Sequence, residues 1–304
     1  MSNKRKTTTM SRALVRRETI SGYMFLLPSL LFFVGFVVIP MFLCVYTGFF
    51  DSTMGKDRAD IFIGFSNYVE LFSDKIFLRA LWNTFIIVIV SVPTVCAFSL
   101  WVAYAIYKLK SPVLSFFRCV FYLPVVTGSV AVTVVWKWMY NNYYGIFNYA
   151  GKTTGVLDKN INWLGDERFA LWCIILILFT TSVGQPIVLY ISALGNVDPS
   201  LVEAAEVDGG THFQVFWKIK WPQILPTTLY ILVITTINSF QCFALIQLLT
   251  SGGPNHSTDT VMYYIYYMAF KLYRYGYANA MGVVLAIFIA LLSALQFKVM
   301  KSDN

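Results

Sequence analysis

The sequence predicts an all-α membrane protein with six transmembrane helices, and three observations predict it. Of 304 residues, 58% are hydrophobic and only 12% are charged, about half the charged share usual in soluble domains. The apolar residues gather into six runs, each at or near the roughly 20 residues needed to cross the hydrocarbon core. The short connection between the second and third runs is purely basic, the mark of a cytoplasmic face. The net charge of +8 therefore reads as loop charge facing lipid headgroups. No basic cluster interleaved with stacking aromatics points to nucleic acid as a partner.

Residues 1–21 form a basic segment, with Lys4, Arg5, Lys6, Arg12, Arg16 and Arg17 against one acid, Glu18. The first span follows from Tyr23 to Phe50; it is too long for a signal peptide and lacks a small-residue cleavage site. Further spans are placed at 80–107, 114–136, 169–194, 223–249 and 278–297. The positive-inside rule holds the basic N-terminal flank in the cytoplasm. The connections 108–118 (Lys108, Lys110, Arg118) and 195–222 are then cytoplasmic, and 51–79, 137–168 and 250–277 face outward. Residues 22–298 thus make one six-helix domain, and 299–304 a cytoplasmic tail. Trp136, Trp138, Tyr140, Tyr143, Tyr144 and Trp163 read as an interfacial aromatic belt. Pro28, Pro40, Pro93, Pro124 and Pro186 fall inside spans, where each removes a hydrogen bond and is expected to kink its helix.

What the spans lack narrows the function. No Asp, Glu, Lys, Arg or His lies in the core of any span. Proton coupling ordinarily needs a carboxylate or histidine at mid-membrane, whereas sodium can be held by backbone carbonyls and is excluded less strongly. There is no P-loop to hold ATP, and no carboxylate pair, G-x-S-x-G elbow or H-E-x-x-H motif, so no catalytic residue is assigned. Cys44, Cys96, Cys119, Cys173 and Cys242 are odd in number and lie in or beside apolar runs. Without a C-x-x-C or a paired-histidine motif they imply neither a disulfide framework nor a metal, and no cofactor is expected.

Neutral polar groups do occur in the spans. The fifth carries Thr235, Thr236, Asn238, Ser239, Gln241, Cys242 and Gln247; Asn238, Gln241 and Cys242 are three or four apart and are expected on one helix face. The fourth adds Thr180, Thr181, Ser182, Gln185 and Tyr190. Such groups either bond neighbouring helices or line a path for a neutral, hydroxyl-rich solute, and both readings stand at this point.

The connection 195–222 is a polar island of its own. Asp198 is placed as an N-cap with Pro199 in the first helical position. Glu203 and Glu206 are expected near the positive end of that short helix, and Gly209 and Gly210 end it. A second short helix is expected from Thr211, with Phe213, Phe216 and Trp217 along one side, until Pro222 stops it. Such caps are common in plain surface connections, and a feature gripped by a soluble partner also fits the pattern.

From about residue 22 to 298 the chain resembles the membrane permease subunit of binding-protein-dependent ATP-binding-cassette importers of the carbohydrate-uptake group. Within that group it is most similar to the maltose-transporter F and glycerol-phosphate-transporter A type of subunit. The residues that carry the likeness are Leu27-Pro28, Ile63-Gly64-Phe65-Ser66-Asn67-Tyr68, Asn83-Thr84, Phe117-Arg118, Leu123-Pro124, Trp136, Gly145 and Asn162-Trp163-Leu164. To these add the E-A-A-x-x-x-G loop from Glu203 to Gly209 with Ile219-x-x-Pro222, and Thr250-Ser251-Gly252-Gly253-Pro254 with its trailing aromatics.

The resemblance implies the type I importer (MetI-like) permease fold in the cytoplasmic membrane of a bacterium or archaeon. It implies that Glu203, Ala204, Ala205, Asp208, Gly209, Ile219 and Pro222 form a coupling element that docks on a separate ATPase dimer. It implies further partners: a second homologous permease, an extracytoplasmic solute-binding protein and a carbohydrate, with a di- or oligosaccharide expected. Asn238, Ser239, Gln241 and Cys242 are implied to line the solute path, and Gln185 and Tyr190 join them as candidates. Trp221 departs from the family's usual Leu, Gly210 stands where Ala is common, and Cys242 is a poor sugar contact. The rival readings are an ion-independent or sodium-coupled secondary transporter or facilitator, and a non-transporting membrane scaffold.

Overall fold

The computed structural model describes residues 12–53 and 60–301. The first eleven residues of the expected cytoplasmic segment and the last three of the tail lie outside the described residues. The first span is α1 (Arg12–Phe33), a π-turn (Val34–Val38) and α2 (Ile39–Thr47). A minimal antiparallel pair, β1 (Phe50–Asp51) and β2 (Ile61–Phe62), sets Phe50 opposite Phe62. Then come α3 (Ser66–Ser73), α4 (Lys75–Ile106), α5 (Ser111–Val126), α6 (Ser129–Met139) and α7 (Ile146–Thr153). The rest comprises α8 (Ala170–Ser182), α9 (Gly184–Gly195), α10 (Pro199–Val207), α11 (His212–Val215), a second π-turn (Phe216–Lys220), α12 (Trp221–Phe240), α13 (Ala244–Leu249), α14 (Val261–Phe270) and α15 (Tyr275–Lys301).

Four helical stretches are long and apolar enough to cross a membrane, and six if the bent pairs α5–α6 and α8–α9 each count as one span. Three of the expected spans need correction. The third is not one straight crossing: α5 and α6 meet at 93°, because Thr127 and Gly128 take extended ψ values of 126° and 141° and break the hydrogen-bond ladder. The fourth bends by 41° at Val183, where Pro186 cannot donate to the carbonyl of Ser182. The helix that carries the fifth begins at His212, ahead of the expected start at 223. The basic connection 108–118 also shrinks, since α5 starts at Ser111 and carries Arg118 inside the helix.

Both π-turns close two residues before a proline, Pro40 and Pro222. The N–H of Ile39 reaches back to the carbonyl of Val34, and that of Trp221 to Phe216. A proline ring crowds the carbonyl four residues before it, and a widened turn makes room without ending the helix. Pro222 therefore does not stop a helix, as expected from the sequence; it sits in the first turn of α12, which continues from α11 through the π-turn.

The core is built around α4. Its buried row from Phe77 and Ala80 through Val88, Val92, Val95 and Ala103 joins Ile187, Ile191 and Leu194 of α9, Ile224 and Ile231 of α12, and Met281 and Leu285 of α15. A second cluster, with Tyr140, Cys173, Ile174, Cys242 and Ile246, fills the space between α8, α13 and the segment after α6. The first span is different: α2 packs on α15, with the amide of Asn279 donating to the Thr47 hydroxyl at 2.7 Å. The core window of this span has no residue buried within the chain.

One end of the bundle is stitched by polar contacts. The guanidinium of Arg274 makes a two-pronged contact with Glu70 at 2.7 Å for each prong. The Asn67 amide donates to the carbonyls of Gly48 and Phe50, and Arg79 meets Glu167 at 3.3 Å. Behind them Trp136, Tyr140 and Phe147 stack, with Trp163 tilted against Tyr140. These rings are packed against one another, whereas Tyr143 and Tyr144, also expected in a belt, are exposed. The opposite end carries the short connection 107–110 and the segment 196–211.

Candidate functional site

The segment between the fourth and fifth spans is an elbow whose every bend has a local cause. Asp198 caps α10 by accepting the Ser200 N–H at 2.9 Å and its hydroxyl at 2.8 Å. The Ser200 hydroxyl, then the Ser200 N–H, hold the Asp198 carboxyl below its ordinary range. Gly209, at φ +82°, turns the chain in the left-handed region that glycine takes at little cost. Gly210 donates to the Ala205 carbonyl at 2.9 Å, and Asp208 to that of Ala204 at 3.0 Å. The next helix opens on a reciprocal capping box, in which Thr211 accepts from the Gln214 N–H and the Gln214 amide oxygen accepts from the Thr211 N–H. The T-x-x-Q spacing carries that signal in the sequence.

One expectation fails here. The helix holding both acids ends at Val207, so Glu206 sits in its last turn, at the negative rather than the positive end. Glu203 lies mid-helix, with no acid in the first turn.

The elbow presents a mixed surface. Glu203, Ala204, Asp208, Gly209 and Pro222 are exposed, while Ala205 and Ile219 are half-buried. Leu201, Val207 and Phe213 add apolar surface, with Val207 87% exposed. Large side chains left this open on a short, well-capped element suit a surface that another molecule covers.

Within the bundle, a cavity of about 150 Å³ opens between α5, the α8–α9 bend and α12. Thr181, Ser182, Gln185, Thr235 and Asn238 line it, with Val125, Leu189 and Ile234 as apolar wall. The Thr181 hydroxyl is occupied, donating to Ile177 and Leu178. The amides of Gln185 and Asn238 are exposed. The cavity has donors and acceptors but no charged residue in its lining.

Of the six pathway candidates, the fold brings only Gln185 and Asn238 together. The three-residue face of Asn238, Gln241 and Cys242 is not completed, because α12 ends at Phe240 with Gln241 as its cap and Cys242 lies beyond it. Gln241 is exposed there. Cys242 is buried, and its carbonyl accepts from the Thr260 hydroxyl at 2.8 Å. Ser239 and Tyr190 are buried in the bundle, Tyr190 completely. Thr181, Ser182 and Thr235 complete the cavity instead. They were visible as polar residues in apolar runs, and Pro186 marks the bend, but the sequence does not show that the bend brings them against Thr235 and Asn238.

A broken-helix bundle, an uncharged polar cavity between its spans and a capped elbow at one end define a multi-span transport permease. The chain belongs to a known family of that class: residues 61–300 match the model for the binding-protein-dependent transport system inner membrane component. A probable ABC transporter permease of Bacillus subtilis, YurN, is 33% identical over 96% of this chain and 99% of its own length. The multiple sugar-binding transport system permease MsmF of Streptococcus mutans is 32% identical over 92% and 95%. A bacterial alginate ABC transporter, solved with an alginate-pentasaccharide-bound periplasmic protein, shares the fold with a TM-score of 0.77 at 24% identity, covering 93% and 94%. The chain is thus a multi-pass inner-membrane protein and a transport subunit, with ATP hydrolysis assigned to a separate subunit.

Proposed function

We propose that this chain is the membrane-spanning subunit of an importer that carries a sugar, of the di- or oligosaccharide class, into the cytoplasm. The observation that carries the reading is the elbow of α10 and α11. It leaves Leu201, Val207 and Phe213 uncovered beside Glu203, and it runs without a break in the helix into the fifth span. Force applied to it by an ATPase dimer would reach α12, and with it the cavity wall that holds Thr235 and Asn238. Glu203, Ala204, Ala205, Asp208, Gly209, Ile219 and Pro222 are the proposed coupling residues.

The chemistry of the cavity supports a neutral, hydroxyl-rich solute. Uncharged amides and hydroxyls can exchange hydrogen bonds with sugar hydroxyls, whereas a strongly anionic solute is met by Arg or Lys. MsmF, named for multiple sugar-binding transport, is consistent with this class. A second permease would close the face left open by the first span, and a solute-binding protein would deliver the sugar at the end stitched by Arg274 and Glu70. The elbow and both termini face the cytoplasm in this reading. A secondary transporter is disfavoured because no ionisable residue lines the cavity.

The test is purification of the complex in detergent. The unmodified chain should bring down an ATPase and a second permease, and Glu203→Lys should lose the ATPase. Retained association together with unaltered transport-stimulated ATP turnover in Glu203→Lys would overturn the assignment.

A further inference from the structure

At the junction of the elbow with the bundle lies a buried cation that the proposed coupling surface does not use. Lys220 closes the second π-turn and is only 5% exposed. No carboxylate lies within ion-pair distance of it among the described residues; its ammonium instead donates to the Tyr107 hydroxyl at 2.8 Å. It also stands over one ring, 5.4 Å from the centroid of Tyr104, while it meets Tyr107 at the hydroxyl edge rather than over the ring face. Tyr104 in turn meets Phe216 edge-on at 5.0 Å. Both tyrosines belong to the inner end of the second span, in the last turn of α4 and its C-cap. The Lys108 ammonium and, less closely coupled, the Glu206 carboxylate of α10 are within electrostatic reach of the same Tyr107 hydroxyl.

A lysine at a helix end ordinarily extends its head to water. Here the π-turn turns the side chain inward, and the Tyr104 ring with the Tyr107 hydroxyl replaces the lost hydration. Cation–π contacts are strongest when desolvated in this way. The contact is also the place where α10, the π-turn and α4 converge, so displacement of the elbow has two exits. One is the covalent run into α12; the other is this cage, into α4, around which the core is built.

We propose that Lys220 is a positioning residue for transport. Resting on the coupling role given above, the inference is that its caged ammonium locks the elbow to the inner end of the second span, so that both move together when the ATPase closes. Apolar packing can hold two elements in contact but slides easily. A charge held against one ring by a directed hydrogen bond to the next fixes their register as well.

The test uses the complete transporter in nanodiscs, with hydrogen–deuterium exchange read by mass spectrometry without nucleotide and after trapping with ATP and vanadate. In the unmodified protein, peptides from the elbow (199–215) and from the inner end of α4 (100–110) should both change protection on trapping. Lys220→Met keeps the stem and removes the charge. It should leave ATPase association, basal ATP hydrolysis and the elbow response intact, while the α4 response falls about tenfold. Lys220→Arg should restore most of it. Because Lys220→Met removes a buried charge rather than creating one, the fold should hold. Should it fail, Tyr107→Phe, which keeps the ring and loses the hydroxyl, should show a smaller reduction of the same response. An unchanged α4 response in both variants would overturn the proposal. Absence of an ATPase from the purified unmodified complex would instead overturn the coupling role itself.

Discussion

The Tyr264 hydroxyl donates to the Asp74 carboxylate at 2.7 Å, across 190 positions of sequence. Tyr277 donates to the same oxygen at 2.9 Å, and the other oxygen accepts the N–H groups of Ile76 and Phe77 as the cap of α4. One carboxylate thus joins the start of the second span to α14 and to the start of the sixth. Burial pushes this carboxyl up, but the two hydroxyls and two backbone N–H groups outweigh it, and its pKa ends below the ordinary 3.8.

The sign of the pH dependence follows. A depressed folded pKa means that the unfolded chain binds the proton more readily, so the contribution is complete above about pH 4 and is lost as pH falls through the folded value. Asp74→Asn should lower the melting temperature at pH 7, at a cost of about 1 to 2 kcal/mol for a partly exposed group. The deficit relative to the unmodified protein should shrink below pH 4. Asp259 titrates in the opposite sense. Burial raises its carboxyl, and the hydrogen bond and charge of His256 oppose this only in part. Its contribution therefore falls as pH rises from about 3.8 through the raised value. Thermal melts from pH 3 to 8 of Asp74→Asn and Asp259→Asn should show the two opposite slopes.

Gly209→Ala tests the elbow's bend while adding only one methyl to its surface. A Cβ there meets nothing within 4 Å, so the whole penalty is the left-handed backbone, about 1 to 2 kcal/mol. The elbow should loosen while the bundle stays intact. Affinity for the ATPase, measured by titration of the purified subunits, should fall roughly tenfold with no change in melting temperature.

Gly184→Ala tests the bend in the fourth span. An added Cβ would lie 2.3 Å from the Phe121 carbonyl oxygen and 2.9 Å from a Val125 methyl. Neither α5 nor α9 can yield without a backbone shift, so a loss of about 1 to 3 kcal/mol is expected. Because Val125 also lines the cavity, uptake should fall together with thermal stability.

Gln185→Leu and Asn238→Leu test the solute path. Each removes an amide facing the cavity, and a net hydrogen bond of about 1 kcal/mol corresponds to a several-fold rise in KM for uptake of the sugar delivered by the binding protein. ATPase association should not change. Gln241→Leu, placed beyond the end of α12 and outside the cavity, should leave KM alone.

How much of this was legible in the sequence differs from element to element. The caps were readable because they are local: Asp198 with Pro199, and Gly209 at the turn, act over three or four residues. The extra turn at each π site was not read, although a proline two residues on marks both, because helix continuity past a proline depends on what packs around it. The pathway face failed for a similar reason. Spacing of three and four places residues together only while the helix lasts, and α12 ends at Phe240.

By itself the sequence determined the membrane, through six apolar runs that water would not tolerate. It also determined the elbow, through capping residues whose bonds are made with near neighbours. Only the tertiary structure decided which polar groups share a cavity, where the third span breaks, and that Lys220 turns inward between Tyr104 and Tyr107. The cavity depends on contacts between residues about fifty positions apart, such as Gln185 and Asn238, and the Lys220 contact on residues 113 apart. Spacing along the chain does not encode them, because the approach of two helices is set by the packing of the whole bundle.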